Sequence, residues 1–69
     1  MVNTDKLLGI MAERHKSQKD VAEALGMAPK TFYLKMQKKV FGSDEIEEMI
    51  NILEITDPMP IFFDTKVTS

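Results

Sequence analysis

The 69-residue chain has no cysteine and no tryptophan, and it has a single histidine, His15. Without cysteine, neither a disulfide nor a thiolate zinc site can staple the fold, so packed apolar side chains must hold it together. The lone histidine has no partners to complete a metal site and reads as a surface or helix-end residue. No apolar run approaches the ~18 residues of a membrane span. The opening MVNTDKLL has neither the basic lead nor the apolar stretch of a signal peptide. The expectation is a soluble, cytoplasmic protein without a membrane partner. Glu45, Glu47 and Glu48 offer carboxylates, but no nucleophile, glycine-rich phosphate loop or metal motif accompanies them. They read as a solvated helix face, and neither catalysis nor a cofactor is expected. The length suits one domain, over residues 1–63, with residues 64–69 as a frayed tail.

Net charge is −2, which alone argues against a polyanionic partner, but the charge is unevenly spread. Residues 14–39 carry Arg14, Lys16, Lys19, Lys30, Lys35, Lys38 and Lys39 against Asp20 and Glu23, a net +5. Residues 40–69 carry Lys66 against seven acids, a net −6. Such a chain is dipolar and can turn its basic half toward phosphates. The plainer reading is that these charges are solvated helix faces.

The periodicity predicts helices throughout. Thr4 stands at a cap position before DKLLGIMAER, where Leu7, Leu8, Ile10 and Met11 share one broad face and Asp5 suits the first turn. Ser17 caps a second helix, with Asp20 as a shortened capping-box partner, and Gly26 is its left-handed stop. Pro29 opens a third helix over residues 29–37. Gly42 or Ser43 caps a fourth, in which Ile46, Met49, Ile50 and Leu53 repeat at core-facing spacing. Asp57-Pro58 starts a short fifth turn in which Ile61, Phe62 and Phe63 close the core. Met11, Met27, Met36 and Met49 fall at positions where a flexible thioether fills gaps.

The third helix poses the functional question. At ~100° per residue, Phe32 and Met36 lie together with Pro29 beside them. Lys30, Leu34 and Gln37 fall opposite, with Tyr33 and Lys38 further round. A helix that only packs in a bundle needs no leucine and tyrosine there, although Tyr33 would also serve by laying its ring over the core rim. Ammonium, amide and apolar groups are what base edges in a major groove accept. Two short helices joined by a glycine-containing turn form a helix-turn-helix, whose second helix enters that groove while the first crosses the backbone. Lys16, Gln18 and Lys19 at the start of helix two then suit a phosphate, as do Lys38 and Lys39, although paired loop lysines are often only solvated. Ala22 allows the two helices to approach closely.

Gln18, Val21, Ala22, Leu25, Gly26, Met27, Thr31 and Phe32 together resemble the helix-turn-helix of the phage repressor and Cro family, the XRE-type regulators. The ending TFYLKM, the basic loop, Phe41, the acidic helix DEIEEMINILEI and DPMPIFF are similar to a branch of small Gram-positive phage and prophage regulators. The resemblance implies an all-α, compact five-helix, lambda-repressor-like domain that binds double-stranded operator DNA, commonly as a dimer on a two-fold related site. It places Gln18 at a phosphate-contacting position and Pro29, Lys30 and Leu34 at base-reading positions. Ala28 stands where a capping serine or threonine is usual, and Gly42 replaces the threonine that normally caps helix four. A second reading is an antirepressor or modulator that grips a partner repressor, with the acidic half and Leu34, Ile61, Phe62 or Val67 forming the contact. If copies pair, the Phe62 region or the tail must supply the interface.

Overall fold

The computed structural model describes residues 1–63, which form five α-helices with no strand among them. Residues 64–69, read above as a tail and including Val67, lie outside the described residues. In chain order the helices are α1 (Thr4–Glu13), α2 (Gln18–Ala24), α3 (Pro29–Lys38), α4 (Ser43–Ile52) and α5 (Met59–Phe62). The all-helical expectation therefore holds.

Local chemistry sets most of the boundaries. Ser17 Oγ accepts the Asp20 amide at 3.0 Å, while the Asp20 carboxylate accepts the Ser17 amide at 2.9 Å. These bonds hold the Asp20 carboxyl below the usual carboxylate range, helped by Lys16 and Lys19 nearby. Gly26 adopts φ 75°, a left-handed conformation, and the Met27 amide closes the turn on the Ala22 carbonyl at 3.0 Å. An added Cβ at Gly26 would meet nothing within 4 Å, so any penalty there comes from the backbone alone. Gly26→Val is expected to destabilise the fold by about 2 kcal/mol and Gly26→Asn by less than about 1 kcal/mol, measured by thermal melting. Equal melting temperatures for the two variants would refute this account of the turn.

Two boundaries differ from expectation. Asn3, not Thr4, caps α1, its side-chain oxygen accepting the Lys6 amide at 3.1 Å. Asp57 caps nothing; Pro58 holds the cap position of α5 and its carbonyl accepts from Ile61 and Phe62. At α4 the cap is Gly42, one of the two residues expected there, which has no side chain to offer. There the Glu45 carboxylate accepts the Gly42 amide at 2.8 Å and the Lys35 ammonium at 2.9 Å. Partial burial pushes the Glu45 carboxyl up, but these two bonds outweigh it and hold it below its ordinary range.

The core is built from Leu7 and Met11 of α1, Val21 and Ala22 of α2, Phe32 and Met36 of α3, and Met49 of α4, with Leu53, Ile55, Ile61 and Phe62 closing it. Phe41 joins from the α3–α4 connection, its ring 5.5 Å from that of Phe32 at a tilt of 52°. Ile46 and Ile50 are half-buried against this cluster, as is Met27, which lies in the turn rather than on a helix. Leu8 and Phe63, both expected inside, are exposed: the apolar face of α1 is narrower than the run suggests, and Phe63 follows the last turn of α5. Val2 takes a core place instead. Its amide donates to the Lys39 carbonyl at 3.1 Å, and the Asn3 amide donates to the Ile61 carbonyl at 2.6 Å, so the N-terminal residues strap α3's end to α5.

Candidate functional site

Helix α3 packs against α2 and buries one stripe, Phe32 and Met36. The opposite face is open: Lys30, Thr31, Tyr33, Leu34, Gln37 and Lys38 are all exposed, with Tyr33 and Leu34 retaining about half their surface at 48% and 49%. Pro29 is half-buried at the first helical position, where its missing N–H removes nothing. The proposed base-reading residues thus share one outward surface, with Pro29 at its margin.

The N-terminus of α3 is also open. Ala28 supplies no side-chain cap, and the amides of Lys30 and Thr31 donate to no backbone carbonyl among the described residues. At the start of α2, Lys16 and Lys19 are exposed and Gln18 is half-buried. Asp20 sets one ionised carboxylate in the same turn, which offsets part of the local positive charge. Ala22 is fully buried between the helices, as the close-packing argument requires.

Of the seven basic residues between positions 14 and 39, two are committed to the fold. Arg14 reaches from the end of α1 to the C-terminus of α4, where its Nε donates to the Leu53 carbonyl at 2.7 Å and a terminal nitrogen donates to the Glu54 carbonyl at 3.0 Å. A guanidinium there satisfies carbonyls that have lost their helical partners. Lys35 is paired with Glu45. The other five, Lys16, Lys19, Lys30, Lys38 and Lys39, are exposed and without an ion pair among the described residues. The sequence pattern counts all seven alike, because nothing local marks which cations the tertiary fold will engage.

Lys39 adopts φ 60°, and its amide and that of Val40 close the helix on the Met36 and Lys35 carbonyls at 3.2 Å each. A lysine in this left-handed position costs about 1 kcal/mol relative to glycine. Lys39→Gly is accordingly expected to raise the unfolding free energy by about 0.5–1 kcal/mol while removing one cation from the surface beside α3. Chemical denaturation reads the first effect, and an unchanged or lower midpoint would contradict it. Val40, exposed at 62%, lines a shallow hollow with Met1, Phe41 and Ile46; an apolar residue after a lysine pair has no periodicity to reveal its direction.

Elsewhere, a hollow of about 340 Å³ lies between α1 and the α4–α5 connection, lined by Lys6, Ile10, Arg14, Ile55, Asp57 and Ile61 among others, with no contribution from α2 or α3. Among the described residues no group of three or more His, Asp or Glu could hold a metal ion, and no helix is long and apolar enough to cross a membrane. His15 is exposed at a helix end. Ile61 and Phe62, two of the residues suggested for gripping a partner repressor, are buried at 4% and 3% and are not available for that contact. Phe62 cannot head a pairing surface for the same reason, whereas Phe63 beside it is exposed. Comparison with protein-family models gives no match, and comparison with curated proteins and with solved structures gives none either.

Proposed function

We propose that this chain is a sequence-specific DNA-binding transcriptional regulator of the Cro or small-repressor kind, non-catalytic and cytoplasmic, with a lambda-repressor-like fold. In this reading α2, the turn at Gly26 and α3 form the helix-turn-helix. The single observation that carries it is the open face of α3. Lys30, Leu34 and Gln37 point away from a core that Phe32 and Met36 already satisfy, and unpaired lysines flank them. Helix α3 lies in the major groove with Lys30, Tyr33, Leu34 and Gln37 toward base edges, Pro29 shaping its entry. Lys16, Gln18 and Lys19 hold one stretch of phosphates and Lys38 and Lys39 another. Occupancy of an operator then blocks an overlapping promoter sterically, with two copies pairing on a two-fold related site, and a phage or prophage setting fits the resemblance described above.

The test is an amide-shift titration of the isotope-labelled protein with generic duplex DNA at low salt, repeated at higher salt. Shifts are expected to cluster at Gln18, Lys30 to Leu34 and Lys38, and to shrink as salt displaces the lysines from phosphates. Amides that stay still at low salt would leave α2 and α3 as a scaffold only and overturn the reading.

A further inference from the structure

Leu34 lies at the centre of α3's open face beside the equally exposed Tyr33, and its surroundings are specific. Its helical neighbours one turn away in each direction are Lys30 and Thr31 on one side and Gln37 and Lys38 on the other. All four are exposed, and none of their side chains is hydrogen-bonded among the described residues. Leu34 and the Tyr33 ring therefore make a small apolar spot, with free hydrogen-bond donors one turn above and below Leu34. Lys30 and Lys38 are about 12 Å apart along the helix axis, close to the width of a major groove. A protein-docking surface wants a contiguous apolar patch far wider than two side chains, closed by a polar rim.

A leucine cannot donate to or accept from a base edge. The feature of a major groove that it can distinguish is the C5-methyl group that thymine carries and cytosine lacks. Resting on the DNA-binding reading above, we infer that Leu34 is a specificity-determining residue that selects thymine by its methyl group. Lys30 and Gln37 supply the polar contacts to the neighbouring base pairs, so the site contains a thymine flanked by pairs read through hydrogen bonds. A Gln37 amide matches adenine N6 and N7, and a Lys30 ammonium matches guanine O6 and N7. Recognition of the 5-position also predicts that 5-methylcytosine is accepted in place of that thymine more readily than cytosine, as far as the methyl contact is concerned.

The experiment starts from a random duplex library, from which the wild-type protein selects its preferred site. That site is resynthesised with each thymine replaced in turn by deoxyuridine, which removes one methyl group and leaves every hydrogen-bonding atom in place. Binding of each duplex is measured for the wild type and for Leu34→Ala, a substitution at an exposed helical position that leaves the core untouched. The expected result is one thymine, or two adjacent ones, at which deoxyuridine weakens wild-type binding about fourfold, the worth of one buried methyl group. Leu34→Ala should bind the thymine site more weakly and be indifferent to deoxyuridine at that position, a coupling that independent contacts would not show. Indifference of the wild type to every deoxyuridine, or a methyl effect that survives in Leu34→Ala, overturns the assignment of Leu34 while leaving DNA binding intact. Failure of the library to enrich any site, with no salt-dependent duplex binding, overturns the DNA-binding reading and the inference together.

Discussion

Phe32→Ala is expected to remove about 3–5 kcal/mol of folding free energy and to move the unfolding transition to much lower denaturant. A chain of this length has a total stability of roughly 3–10 kcal/mol, so a single large cavity consumes from about a third of it to all of it. Phe32 is fully buried, and its ring meets that of Phe41 at 5.5 Å, a tilted contact that ties α3 to the connection leading into α4. Truncation opens a cavity lined by residues from several helices, and helices this short cannot close over it without giving up other contacts. Circular dichroism during a urea titration reads the outcome. A loss below about 1 kcal/mol would show that the site collapses freely and that Phe32 is not what orients α3. Phe32→Leu, which keeps most of the volume, is the milder companion and should retain a cooperative transition.

The features legible in the sequence are those whose cause is local. Ser17 and Asp20 sit three apart and need nothing beyond their own turn to cap α2. Gly26 declares a left-handed turn because few other residues enter it without penalty, and Pro29 marks a first helical turn. The stripe from Ile46 to Leu53 is visible because its period matches a helix, although only Met49 and Leu53 reach full burial. What escaped reading depends on elements distant in sequence. Leu8 and Leu7 look alike until α1 is placed against α5, and only then is one inside and the other at 39% exposure. Val2 enters the core because the Lys39 and Ile61 carbonyls accept backbone amides on either side of it. The left-handed His15, Lys39 and Glu54 end helices without glycine, so the composition carries no sign of them. The candidate site was legible because an open helix face is a local matter once its buried stripe is known. Which lysines remain free was not, since Lys35 is claimed by Glu45, ten residues away in sequence.

That division of the cations has a measurable consequence. Replacing Lys16, Lys19, Lys38 and Lys39 together by glutamine is expected to flatten the salt dependence of duplex binding by about 3–4 in log–log slope, since each lost phosphate contact contributes about 0.9. At low salt the affinity should drop by orders of magnitude, because this term supplies nearly all non-specific binding. Lys35→Gln and Arg14→Gln remove the same formal charge from the same basic half, yet their nitrogens already face Glu45 and the Leu53 and Glu54 carbonyls. Those two variants should lower the melting temperature and leave the slope nearly unchanged, because Lys35 is neutralised by Glu45 and the Arg14 guanidinium is held at the C-terminus of α4 rather than on the α2–α3 surface. The two sets therefore separate a phosphate contact from a structural cation without an operator in hand. If Lys35→Gln and Arg14→Gln flatten the slope per charge as much as the fourfold variant does, position on the α2–α3 surface is irrelevant. The protein would then meet DNA only through its overall dipole, an attraction that requires no reading helix at all.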